Sequence, residues 1–255
     1  MTRGQHTGEH SLGAARGLNV LRAWSKVLLD FVYPPVCVSC GRLLQPSEDA
    51  VCGPCWNRIK RVADDLPLFI ETRQRLLWDH AVSDLVSLFV FEKGGPFQHI
   101  VHAIKYQSME SLAAELGRRL GEVIARRGVD AECVVPVPLH RAKLRERGYN
   151  QAAVIARAVS GVLGLPVYTT AVKRLRYTQS QTTLGADERR RNVADAFGFE
   201  EASGADVVGK TCILVDDVIT TGATTSACAG ALRAAGAVRV IAASAALAQK
   251  GADTV

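Results

Sequence analysis

The chain has 255 residues, 48% of them hydrophobic and 22% charged, an ordinary balance for a globular fold with a sizeable core. No run of about 18 apolar residues occurs, so no membrane span is expected. The opening "MTRGQHTGEHSLGAARGLN" lacks the apolar stretch of a secretory signal, which makes residues 1–19 a flexible tail and the expected location cytoplasmic. The net charge of +6 favours anionic partners, with phosphorylated metabolites and nucleic acid both fitting.

Taken in chain order, "VLRAWSKVLLDFVY" (residues 20–33) spaces its apolar side chains as a helix does, and Pro34 and Pro35 stop it. Two Cys-x-x-Cys pairs follow, Cys37 with Cys40 and Cys52 with Cys55, separated by eleven residues. Each pair forms a tight knuckle whose sulfurs converge, and four thiolates make a closed tetrahedral set suited to a structural zinc ion. Disulfide pairing or a redox dithiol is the competing reading, and a reducing compartment opposes it. The remaining cysteines, Cys133, Cys212 and Cys228, sit in apolar runs and read as core residues. "AVSDLVSLFVFEKGG" reads as a strand before a Gly-Gly turn, and residues 96–127 keep helical periodicity throughout.

From residue 131 the rhythm becomes strand, loop, helix. "ECVVPVPL" is a buried strand, "NQAAVIARAVSGVLG" a helix and "PVYTTAVKRL" a strand. "CILV" lacks a polar face, "ATTSACAGALRAAG" is a helix and "VRVIAAS" a further strand. This alternation predicts an α/β fold with a parallel sheet.

The chemistry concentrates in "CILVDDVITTGATTS" (residues 212–226), where Asp216 and Asp217 stand side by side at the carboxyl end of a buried strand. Repulsion and desolvation oppose that placement unless a ligand pairs with them. The loop Thr220, Thr221, Gly222, Ala223 and Thr224 opens a helix whose free N–H groups suit a phosphate dianion. A phosphate held by amides beside a diol held by carboxylates describes a ribose 5-phosphate. Each piece alone is also what a capped helix shows. Two basic segments accompany it: "PVPLHRAKLRERGYNQA" brings Arg141, Lys143, Arg145 and Arg147 against Glu146 alone, and six more basic residues fall between Lys173 and Arg191.

"CILVDDVITTGAT" resembles the PRPP-binding signature of type I phosphoribosyltransferases. With "VPVPLHRAKLRERGYNQA", "TQSQTTLGADERRRNVADAF", "AIKY" and the four cysteines, residues 30–248 resemble the ComF-type competence-associated phosphoribosyltransferases. The resemblance implies a Rossmann-like type I phosphoribosyltransferase domain with a small N-terminal zinc-ribbon-like module. The domains would be a tail (1–19), a helix and zinc module (20–60), a connecting or hood segment (61–95) and the phosphoribosyltransferase domain (96–255). Asp216 and Asp217 would bind the ribose hydroxyls and carry catalysis, and residues 220–224 the 5′-phosphate. Lys105, Arg145, Arg147, Gln181 and Arg189 would serve the pyrophosphate and the closing loop. Gln98 departs from the family, which often has arginine there. Thr220 stands where purine-salvage relatives carry an aspartate base, which implies no salvage of hypoxanthine or guanine. Implied cofactors are one structural zinc and Mg²⁺ with PRPP. The expected function is a PRPP-binding phosphoribosyltransferase-type protein of DNA uptake, with single-stranded DNA and a helicase-like competence protein as further partners. The alternative is a non-catalytic DNA-binding or adaptor protein that reuses the pocket. Nothing in the sequence identifies an acceptor.

Overall fold

The computed structural model describes residues 34–78, 80–174, 197–199 and 205–249. They fall into two compact units, Met1–Cys52 and Gly53–Val255. In the first, the backbone turns tightly around its cysteines. Cys37 N–H donates to the Arg42 carbonyl at 2.7 Å and Gly41 N–H to the Cys37 carbonyl at 2.8 Å. Gly41 takes φ +72°, a conformation that side-chain-bearing residues rarely adopt. The Arg42 guanidinium bridges both carboxylate oxygens of Glu48 at 2.8 and 2.9 Å.

The second unit is built on four parallel strands in the order β1-β6-β5-β2. These are β1 (Asp84–Phe91), β2 (Cys133–Pro136), β5 (Thr211–Ile219) and β6 (Arg239–Ala248). β1 is buried at every residue after Asp84 and β6 at every residue after Arg239. A parallel strand covered on both faces needs apolar side chains in both directions, which is why these segments show no alternation. Cys212 and Leu214 of β5 and Val240 of β6 join one apolar cluster with Phe69 and Leu76 of helix α2 (Pro67–Leu77). Cys228 and Leu232 of the helix after β5 belong to the same cluster. The short helix α1 (Gly53–Arg58) is tied to the sheet by Trp56, which stacks on Phe89 at 5.9 Å.

The single helical run expected over 96–127 is two helices, α3 (Pro96–Tyr106) and α4 (Glu110–Arg126). They break at Ser108, which takes φ 53°, a left-handed conformation outside helical geometry. Gln98 accepts a hydrogen bond from Gly94 N–H at 2.6 Å at the start of α3. Helix α4 packs closely on α6 (Gln151–Leu163): a Cβ on Gly117 would fall 2.5 Å from the Ile155 carbonyl oxygen. The strand expected over 166–175 shortens to β3 (Val172–Arg174). It pairs antiparallel with β4 (Phe197–Phe199), apart from the main sheet. Among the described residues, no helix is long and apolar enough to cross a membrane.

Candidate functional site

β5 continues to Ile219, so Asp216 and Asp217 lie within its second half rather than beyond it. On one side β6 still pairs with it, Ser244 opposite Asp216. On the other, β2 stops at Pro136 opposite Val215. The aspartates therefore open onto a crevice at the carboxyl end of the sheet, where ligands of open α/β folds bind.

The two carboxylates differ in electrostatic state. Lys105 Nζ, only 7% exposed on the last turn of α3, lies 3.5 Å from Asp217 Oδ2. Asp217 Oδ1 accepts from Val218 N–H at 2.8 Å, and Asp216 Oδ1 accepts from Asp217 N–H at 2.9 Å. Burial raises the Asp217 carboxyl, but Lys105 and the Val218 amide outweigh it and hold it below the ordinary carboxylate range. Burial and the adjacent Asp217 charge push Asp216 well above that range. One member is thus a charged acceptor and the other favours its proton, the expected outcome for two carboxylates sharing a buried site.

Cations crowd the same crevice. "HRAKLRERG" forms helix α5 (Arg141–Arg147), with His140 as its N-cap and Gly148 closing it at φ 79°. The Arg147 guanidinium donates to Gln151 Oε1 at 3.2 Å and lies 5.9 Å over the Tyr106 ring. Its charge helps depress Asp217, and among the described residues its buried Nε has no hydrogen-bond partner. Burial, then Arg147, Arg174 and Lys105, lower the Lys143 ammonium. Burial, then Arg174, Arg145 and Arg141, lower His140. A field dense enough to disfavour protonation of its own members suits a polyanion. Tyr149, which follows these cations in the sequence, is buried, and its hydroxyl donates to the Ile104 carbonyl. Burial and Glu110 push its phenol up to about 12, so it stays protonated and anchors the end of α3 that carries Lys105. Tyr106, next to Lys105, is the exposed ring at this site, 44% accessible.

The loop after β5 turns at Gly222, φ 78°, into α7 (Ala223–Ala234). The N-cap residue Gly222 has no side chain to cap α7, and Ala223 N–H donates to Thr221 Oγ1 at 3.4 Å. The first-turn N–H groups of a helix have no partner within it and favour an anion. Gly222 is buried under Leu76 of α2, whose Cδ2 would lie 2.7 Å from a Cβ there. Arg75 Nη1 donates to the carbonyls of Thr220 and Thr221 at 3.4 and 3.2 Å.

The structure thus gathers Lys105, Arg147, Asp216 and Asp217, with residues 220–224 following directly on the same strand. Arg145 is exposed on α5, and Gln181 and Arg189 lie outside the described residues. Arg75 and Tyr106 were given no part by the sequence. "AIKY" drew notice to Tyr106, whereas Arg75 carries no local signal, since its partners are carbonyls about 145 residues away.

The sulfurs of Cys37, Cys40, Cys52 and Cys55 all lie within 4.8 Å of one another. Cys40 Sγ and Cys52 Sγ are 3.8 Å apart, close to the spacing of about 3.8 Å set by a tetrahedron of zinc–sulfur bonds of about 2.3 Å. Burial alone raises the Cys37 thiol, but the N–H groups of Cys52, Ser39 and Cys40 outweigh it and bring it down to about 6. A thiol poised as thiolate is the form that binds metal. The donor set fits zinc with no open coordination position.

Two family models match, a double zinc ribbon domain over residues 28–66 and a phosphoribosyl transferase domain over residues 148–255. Competence protein F of Haemophilus influenzae is 28% identical over 216 residues, covering 78% of this chain and 91% of that protein. DNA utilization protein YhgH of Escherichia coli (strain K12) is 31% identical over 206 residues, covering 79% of this chain and 74% of that protein. The chain belongs to the ComF-type family. Among solved structures, a glutamine phosphoribosylpyrophosphate amidotransferase from B. subtilis aligns over 56% of the chain, at 20% identity and a TM-score of 0.38. The chain spans 30% of that structure. This ComF-type chain combines a phosphoribosyl transferase domain with a four-cysteine zinc-ribbon module. Its other three cysteines are buried in the α/β unit, so it offers one such set. Lys105 and α5 precede the matched phosphoribosyl transferase segment, and the fold brings Lys105 to Asp217 within it.

Proposed function

We propose that this ComF-type chain binds PRPP, or a closely related ribose phosphate, at the carboxyl end of β5. Its role is that of a phosphoribosyltransferase-type protein in competence and DNA utilization, the processes its relatives are named for. The observation that carries the reading is the acidic pair, Asp217 within 3.5 Å of Lys105 and Asp216 beside it, on the strand that leads into a helix whose N-cap is glycine. Asp217 accepts from a ribose hydroxyl, Asp216 engages the second, and the amides of residues 220–224 take the 5′-phosphate.

In transfer from PRPP, the bond from the anomeric carbon to pyrophosphate breaks as an acceptor's nucleophile bonds to that carbon. Positive charge develops on the sugar and negative charge on the leaving group. The carboxylates stabilise the first; Lys105, Arg145 and Arg147 stabilise the second, with Gln181 and Arg189 assigned to the closing segment. Mg²⁺ carried in with PRPP supplies further neutralisation of pyrophosphate, and paired carboxylates are the hard oxygen donors it accepts.

Proton linkage tests this arrangement. Asp216 is protonated in the free protein at pH values where an ordinary carboxyl is ionised. If Mg²⁺-PRPP engages it as a carboxylate, binding releases a proton. Affinity then rises with pH, by at most about tenfold per unit, and levels off above the free-protein value of Asp216. Asp217, held low, is already ionised throughout that window. Calorimetry across pH is expected to show this slope in the wild type and its loss in Asp216→Asn. A slope unchanged by the substitution would contradict the assignment, since titration of PRPP itself is common to both proteins.

The cations at the rim also suit single-stranded DNA as a partner. Arg141 and Arg145 are exposed on α5, and Arg174 of β3 acts on the same His140. Affinity is expected to fall with salt, and replacing Arg141 and Arg145 by alanine to flatten the log–log slope by about 0.7 per charge removed. A fluorescence titration with no binding at low salt would exclude this partner.

A further inference from the structure

Helix α2 lies in the connecting segment, outside every motif and outside both matched family segments, yet its last turn rests on the loop after β5. Leu76 fills the space beside Gly222, and one Arg75 nitrogen donates to two successive carbonyls, those of Thr220 and Thr221. In a trans peptide the carbonyl of one residue points opposite to the N–H of the next. Pulling the Thr220 and Thr221 carbonyls toward Arg75 therefore turns the N–H groups of Thr221 and Gly222 to the opposite side.

We propose that Arg75 is a positioning residue for the phosphate loop: it holds two carbonyls so that the Thr221 and Gly222 amides face the bound phosphate. This rests on the reading of residues 220–224 as a 5′-phosphate site. A cationic donor on each carbonyl also polarises the peptide group and strengthens its N–H as a donor. Preorganisation matters because a loop free to rotate its peptides must be ordered by the ligand, at the expense of affinity. Lysine reproduces the charge but not the planar guanidinium, so it restores the function only in part.

The test compares wild type, Arg75→Lys and Arg75→Ala, with ribose 5-phosphate as the probe. Arg75 is exposed and Leu76 keeps its seat, so the fold is expected to survive, as thermal melting will show. Arg75→Ala is expected to weaken ribose 5-phosphate binding by about tenfold or more, the worth of hydrogen bonds to a charged group, with Arg75→Lys between. In the ligand-free protein, the ¹⁵N–H resonances of Thr221 and Gly222 are expected to shift and exchange faster in Arg75→Ala, and to return part-way in Arg75→Lys. Unchanged amides in a folded Arg75→Ala variant would overturn the proposal, as would unchanged affinity. Wild-type protein that binds no ribose 5-phosphate while the amides respond would instead sink the phosphate reading and leave Arg75 as a loop-ordering residue.

Discussion

Replacing Asp216 and Asp217 together by asparagine is expected to abolish binding of Mg²⁺-PRPP. The substitutions keep side-chain size and the local strand backbone, along which each carboxylate already accepts the next residue's N–H. Among the described residues they remove the charge paired with Lys105, which leaves a nearly buried ammonium near Arg147 and Lys143 without its acidic partner. Each lost charged acceptor to a ribose hydroxyl costs about 1.5–3 kcal/mol, so the pair accounts for a loss of a hundredfold or more. Calorimetry on both proteins checks this, with circular dichroism to establish that the variant is folded.

Cys52→Ser is expected to empty the zinc site and to unfold the cysteine module. Wild-type protein prepared reduced and without chelators should carry about one zinc per chain. The Cys52 Sγ lies 3.8 Å from Cys40 Sγ, and the Cys52 N–H donates to Cys37 Sγ at 3.3 Å. Serine offers a poor zinc ligand, and in small ribbons the free energy of metal binding is the free energy of folding. The parallel sheet has its own apolar core and should keep its melting transition. Metal analysis that finds the same zinc content in both proteins would contradict the four-cysteine assignment.

How much of this was legible in the chain depended on whether the signal was local. β5 and α7 could be read because a fully covered parallel strand, a glycine turn and a helix start follow one another within about 25 residues. The cysteine knuckles were legible for the same reason. The sheet order β1-β6-β5-β2 was not, since it rests on pairings such as Val86 with Ala243, far apart in sequence. The helical run of 96–127 hid its break because the apolar spacing survives across Ser108, whose left-handed backbone has no pattern of its own. Tyr149 lies among charged residues in the sequence, and its burial shows only in the packed fold, where its hydroxyl donates to the Ile104 carbonyl of α3. The resemblance makes Lys105 a pyrophosphate residue, and its ion-pair partner in the structure is Asp217. The two roles are compatible, because a cation that neutralises the acidic pair in the free protein can turn to the ligand when the ligand brings its own charge. Arg75 recognises backbone, so no side-chain pattern at residues 220 and 221 announces it.

The most direct measurement is a calorimetric titration of Mg²⁺-PRPP into the wild-type chain with its zinc in place, at a pH above the titration of Asp216. One site per chain is expected, with ribose 5-phosphate competing for it and the Asp216→Asn, Asp217→Asn protein silent. A wild-type chain that takes up no PRPP at roughly millimolar concentration, the weak end of specific binding, would contradict the assignment of β5 and its loop as a ribose-phosphate site.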